Sequence, residues 1–177
     1  GTAEIIKYGL TYDVSLYDTI KNTKNLDITE LIHRSIEIKN EVVLEDPKEQ
    51  GLRKILNFGH TIGHAIESYF LESDEKENLT HGEAIAIGMV AECFISAELL
   101  GFSKEKLAEI KNFIITIYGK VSILEEDFSS ILEYLKHDKK NVGGQVNFVL
   151  LTDLEKTQLD CKVATELIIE SLEFYKS

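Results

Sequence analysis

The 177-residue chain has 44% hydrophobic and 28% charged residues, which fits one domain able to bury a sound core. Its formal net charge of −12 argues against nucleic-acid binding, because nothing in it offers phosphates a dense basic stripe. No apolar stretch reaches the roughly 20 residues of a membrane span.

The sequence is helix-like from its first residues. Gly1-Thr2-Ala3-Glu4 carries no basic or apolar leader and no initiator methionine, which reads as a cut or processed end and not as a signal peptide. Leu31, Ile32, Ser35, Ile36 and Lys39 then recur at helical spacing, with Asp27 or Thr29 available as N-cap. That helix should stop near Asp46, because Pro47 disfavours α geometry in the residue before it. A second helix is expected over residues 52–71, through Ile55, Leu56, Ile62 and Ile66, followed by a charged surface loop over 72–80. From His81 to Leu100 the chain is apolar on almost every face, the pattern of a helix in the middle of a domain. Gly101 reads as its C-terminal cap, and Ser103 opens another helix over 104–118. Two further amphipathic helices fall near 127–135 and 164–175.

Only residues 146–151 read as strand. They follow Gly143-Gly144, and 158–163 could pair with them. The expected fold is therefore an all-α, multi-helix domain over residues 1–177, with one small β-hairpin near its C-terminal end. Cys93, inside Val90-Ala91-Glu92-Cys93-Phe94, and the distant Cys161 read as reduced structural thiols, consistent with a cytoplasm.

The chemistry concentrates in Asn57-Phe58-Gly59-His60-Thr61-Ile62-Gly63-His64-Ala65-Ile66-Glu67. On a helix, His60 and His64 stand one turn apart on one face. Neutral imidazoles at that spacing can share a divalent metal, or one can bind metal while the other meets substrate. Thr61 occupies the place of the general base in H-E-x-x-H, so a zinc protease does not fit. His81 opens the apolar helix after a polar loop and could join the His60 face; His33 lies on a surface-like turn. Lys39, Arg53 and Lys139-Lys140 form a basic set suited to a carboxylate or phosphate. Lys39 lies on an otherwise apolar stripe, and Arg53 follows Glu49 by four positions, close enough to pair on one helical face.

Taken together, 49–67, His81-Gly82-Glu83-Ala84-Ile85-Ala86-Ile87-Gly88-Met89, Ala3-Glu4-Ile5-Ile6-Lys7-Tyr8-Gly9 and Asp138-Lys139-Lys140 resemble the 3-dehydroquinate synthases, in the right order along almost the whole chain. The resemblance implies the helical C-terminal domain of such an enzyme, with the N-terminal NAD-binding domain absent. It implies zinc, or another divalent metal such as cobalt, held by Glu4, His60 and His81. It moves His64 from the metal to the substrate, where it is a candidate for handling protons. Lys7, Lys39, Arg53, Asn57 and Lys139 would contact substrate carboxylate, hydroxyls or phosphate, and Glu49 would help complete the site. The implied reaction converts 3-deoxy-D-arabino-heptulosonate 7-phosphate to 3-dehydroquinate and phosphate in the shikimate pathway, with NAD in the full-length enzyme. This chain alone is expected to be inactive, and a homodimer fits the family. Thr2, Pro47 and Leu151-Thr152-Asp153 depart from the family's usual residues. Rival readings are a related sugar-phosphate cyclase, a metal-dependent alcohol dehydrogenase, a phosphohydrolase suggested by His137-Asp138, and a non-catalytic helical interaction domain.

Overall fold

A computed structural model describes residues 1–140 and 146–177, and for residues 138–140 the backbone only. Among the described residues there are eight α-helices and one hairpin. The chain begins with α1 (Thr2–Thr11), α2 (Val14–Asn22) and α3 (Ile28–Glu45), followed by a 3-10 turn (Leu52–Asn57). Next come α4 (His60–Glu72), α5 (His81–Leu100) and α6 (Lys104–Tyr118). A short 3-10 turn (Glu125–Asp127) leads into α7 (Phe128–Lys140), and β1 (Phe148–Asp153), β2 (Lys156–Cys161) and α8 (Thr165–Lys176) complete the chain.

The helix that is apolar on every face is the centre of the molecule. α5 packs against α1, α4, α6, α8 and β1, and from Ala84 to Cys93 every residue is buried. Burial on all sides is what removes the need for a polar face. Its ends are fixed locally. Thr80 and Glu83 form a reciprocal capping box that starts the helix at His81, and Gly101 ends it at φ 73°. Asp27 caps α3 by accepting from the Glu30 N–H, and Ser103 caps α6 in the same way.

Three expectations are corrected by the structure. The helix over 52–71 is two elements, because Phe58 turns inward and is fully buried while Gly59 takes a left-handed φ of 77°. α4 therefore starts afresh at His60. On α3 the buried face is Leu31, Ser35, Ile38 and Val42. Lys39 is exposed along with Ile32 and Ile36, so it lies off the buried stripe. The hairpin pairs Asp153 with Lys156 around a two-residue turn in which Glu155 has φ 62°. This places β1 two residues later than the 146–151 expected from composition. Among the described residues, no helix is long and apolar enough to cross a membrane.

Candidate metal and substrate site

Two elements bring the three histidines together. α4 supplies His60 in its first turn and His64 in its second, and α5 supplies His81 at its first position. The ring centroids lie 5.2 Å apart for His60 and His64, 5.7 Å for His60 and His81, and 5.9 Å for His64 and His81. One donor nitrogen from each ring falls within 4.8 Å of the other two. α1 adds Glu4, whose Oε1 lies 3.2 Å from His60 Nε2.

The outer partners of two rings decide which nitrogen faces the cluster. His60 Nδ1 lies 3.1 Å from the Phe58 carbonyl oxygen, and His81 Nδ1 lies 3.1 Å from Glu67 Oε2. An oxygen acceptor at Nδ1 calls for the proton there, which leaves Nε2 with a lone pair. His60 Nε2 then meets the Glu4 carboxylate, lone pair to lone pair. Glu4 Oε1 is buried and has no hydrogen-bond donor among the described residues. Two acceptors in contact require a proton or a cation to reconcile them.

Lys7 stands behind Glu4 on the next turn of α1. Its Nζ donates to Glu4 Oε2 at 2.6 Å and to the Leu56 carbonyl at 2.8 Å, and the residue is only 2% exposed. Burial pulls its pKa below the ordinary ammonium value and Lys39 adds to that, against the opposing influence of Glu4. Burial pushes Glu4 up, but Lys7 and His60, the latter once a proton sits on its Nε2 to reconcile the contact, outweigh it and hold the carboxyl at about 2. Glu4 is therefore an anion at neutral pH, as a metal ligand must be.

An open cleft of about 620 Å³ lies beside the histidines, lined by Lys48, Glu49, Lys54, Asn57, His60, Thr61 and His64, with Phe148, Val149 and Asp160 from the hairpin among its other walls. A smaller cleft of about 350 Å³ between α4 and α7 shares Thr61 and His64 and reaches Tyr134 and His137. Asn57 donates to Glu49 at 2.9 Å, and Glu49 itself adopts φ 54°.

Of the residues expected from sequence, Glu4, His60, His64 and His81 cluster, and Glu49 and Asn57 line the cleft with two of them. Lys7 sits behind Glu4. Arg53 does not pair with Glu49. Its guanidinium donates to the Pro47 carbonyl, and its backbone N–H joins those of Gln50 and Gly51 on the Asp46 carboxylate. Glu49 precedes the 3-10 turn and lies in no helix, with φ 54°, so Glu49 and Arg53 share no helical face. Lys39 lies near enough to Lys7 to act on its charge but not on the cleft wall. The Lys139 side chain lies outside the described residues.

Sequence reasoning missed three participants. Lys54 reaches the cleft and pairs with Asp160 of β2 at 2.8 Å, a contact across 106 residues that no local pattern reveals. Glu67 was visible only as the end of a motif. Glu92 did carry a signal, as the one charged residue within the buried stretch of α5. It is fully buried, and its carboxylate accepts from the Gly59 N–H at 2.6 Å and the Ile62 N–H at 3.1 Å. Burial pushes its pKa up to about 8, against the pull of the Gly59, Ile62 and Thr61 backbone N–H groups.

Comparison with known proteins gives one answer. Residues 1–141 match the family described as 3-dehydroquinate synthase C-terminal. A 3-dehydroquinate synthase of Parabacteroides distasonis is 40% identical over 99% of this chain and 51% of its own length. That of Methylacidiphilum infernorum is 45% identical over 85% of this chain and 41% of its own. The chain thus spans about half the length of the curated relatives it matches. Among solved structures, a 2-epi-5-epi-valiolone synthase from Streptomyces hygroscopicus, with NAD+ and Zn2+ bound, superposes with a TM-score of 0.79 over 98% of this chain and 49% of its own; at 19% identity it shares the fold. A 2-deoxy-scyllo-inosose synthase, complexed with carbaglucose-6-phosphate, NAD+ and Co2+, gives 0.72 at 26% identity, covering 98% of this chain and 50% of its own. With the family match extending over most of its length and relatives at this level of identity covering nearly all of it, this chain belongs to the 3-dehydroquinate synthase family.

Proposed function

We propose that this chain is the metal- and substrate-binding half of an enzyme that converts 3-deoxy-D-arabino-heptulosonate 7-phosphate to 3-dehydroquinate and phosphate, acting in the cytoplasm with an NAD-binding half that precedes it. The observation that carries this reading is the unreconciled contact between Glu4 Oε1 and His60 Nε2, set among three clustered imidazoles. One carboxylate and two imidazoles, from Glu4, His60 and His81, suit zinc or cobalt and leave positions open for substrate oxygens. A bound zinc would supply positive charge that eases deprotonation of substrate hydroxyls, and NAD would supply the redox chemistry.

The chain's own residues orient and balance that site. The Phe58 carbonyl and Glu67 hold His60 and His81 with Nε2 turned inward. Lys7 offsets the charge of Glu4 from behind, so only part of the carboxylate's charge faces the site. Lys48, Lys54 and Asn57 furnish the cleft wall with donors for an anionic sugar phosphate, and the family resemblance adds Lys139, Lys39 and Arg53 as further substrate contacts in the assembled enzyme. His64 faces both clefts and is placed to carry a proton between substrate and solvent. Without the other half the chain is expected to show no turnover, and the assembled enzyme is proposed to be a homodimer.

Calorimetric zinc titration tests the ligand set. One-to-one binding should weaken about 100-fold in His81→Ala, the loss of a whole ligand, and about tenfold or less in His64→Ala. Equal losses in both variants, with Glu4→Ala unaffected, would replace the proposed set with three histidines. Glu67→Ala should weaken zinc by about tenfold, because His81 loses the partner that fixes its ring. An unchanged affinity there would show that Glu67 does not orient the ligand. A related sugar-phosphate cyclase is the second reading, favoured by the superpositions. Assaying the assembled enzyme with heptulosonate, heptulose and hexose phosphates separates the two.

A further inference from the structure

The structure assigns to Glu92 the role of a positioning residue, one that holds the first turn of α4 so that His60 faces Glu4 and His81. The inference rests on the metal-site reading above. α4 begins with an N-cap that cannot cap. Gly59 has no side chain, and no side-chain oxygen within α4 accepts from its first turn. The first N–H groups of a helix have no partner within it, and leaving them buried and unpaired costs about 1–3 kcal/mol each. Gly59 and the first turn lie against α5, where water cannot serve them, since Phe58, Ile62 and Gly63 are all buried. Glu92 supplies the missing cap from another helix. One carboxylate oxygen takes the Gly59 N–H and the other takes the Ile62 N–H, the residues on either side of the turn that presents His60.

The cap also sets a distance. Glu92 follows His81 by eleven residues on α5, about three helical turns. One rigid helix thus carries both His81 and the group that grips the base of His60. Gly59 cannot be exchanged for a residue that caps in place, since a Cβ there would meet Met89 Cγ at 2.4 Å. Close packing of α4 on α5 and capping by a side chain of α4 itself exclude one another, so the acceptor has to come from α5.

Glu92→Ala removes both acceptors, and Glu92→Gln keeps the volume and one acceptor. Cobalt titrations followed by visible absorption, well below each variant's unfolding temperature, should show about tenfold or greater weakening in Glu92→Ala and recovery to within about threefold in Glu92→Gln. Ring-to-ring nuclear Overhauser contacts of His60 with His64 and His81 should disappear in Glu92→Ala and persist in Glu92→Gln. If Glu92→Ala does not fold, Glu92→Asp takes its place; it keeps the carboxylate but draws it back by one methylene, and the same losses are expected. Retained ring contacts and unchanged cobalt affinity, with only a lower unfolding temperature, would overturn the positioning role and leave Glu92 as a stabilising cap. Should the unsubstituted chain bind no cobalt, the metal-site reading fails on its own, and the ring contacts alone decide whether Glu92 positions His60.

Discussion

Gly88→Ala is expected to destabilise the chain by about 3 kcal/mol, although alanine is the better helix former by about 1 kcal/mol. A Cβ on Gly88 would lie 2.0 Å from the Gly59 carbonyl oxygen, 2.7 Å from the Gly63 nitrogen and 2.9 Å from the Gly63 Cα. These are backbone atoms, so no rotamer change can make room. The Gly63 N–H donates to that same Gly59 carbonyl in the first hydrogen bond of α4, so the added methyl would force α4 off α5 at its first turn. The crossing is tight from the other side as well, since a Cβ on Gly63 would meet the Ala84 carbonyl and Ile85 Cα at 3.0 Å. Cores pack close to crystal density, and a displacement here spreads to the neighbours of both helices. Urea unfolding gives the stability change, and zinc titration should show a parallel loss as His60 moves with Gly59. A midpoint unchanged to within about 1 kcal/mol would mean that the two helices separate more easily than their contacts suggest.

The same crossing shows how far sequence reading can go. That α5 lies at the centre was legible, because a helix apolar on every face has nowhere else to go. The spacing of His60 and His64 was legible for the same local reason. The break before His60 was not, because Phe58-Gly59 fits a helical period and its left-handed turn is set by contact with Met89 and Glu92, far along the chain. α3 shows a different limit. It carries two apolar stripes, Ile28, Ile32 and Ile36 on one side and Leu31, Ile38 and Val42 on another, and only the second is buried. Periodicity finds both and cannot choose which is buried, and Lys39 extends the one that stays exposed. The resemblance supplied Glu4 as a partner for the histidines. No spacing could have, since α1 and α4 meet only through tertiary packing.

Asp127→Ala is expected to cost about 3 kcal/mol at pH 7, through a contact equally invisible in the sequence. The carboxylate is 2% exposed and takes hydrogen bonds from Tyr69 Oη at 2.6 Å, Lys76 Nζ at 2.7 Å and the Leu124 N–H at 2.7 Å. Removing it strands all three donors, and losing one partner of a buried ion pair typically costs about 3–5 kcal/mol. The lower end applies because Lys76 lies in the 73–80 segment and can turn towards solvent. Burial raises the carboxyl's pKa, but Lys76, Tyr69 and the Leu124 N–H outweigh it and hold it below the ordinary value. A folded pKa below the unfolded one gives stability that is fully present above the unfolded value of about 3.9 and is lost as pH falls through the folded value. Urea midpoints from pH 7 to pH 3 should therefore converge for the unsubstituted chain and Asp127→Asn as acid removes what the substitution had already taken. Midpoints that stay parallel would show that the charge contributes nothing. The double variant Asp127→Asn with Lys76→Met should lose less than the sum of the single changes, because no ammonium is then left without its carboxylate. The contact bears on the site because residues 73–80 run straight into His81. A segment no longer tied to Asp127 leaves the capping box at Thr80 and Glu83 as the main restraint on where that histidine begins its helix.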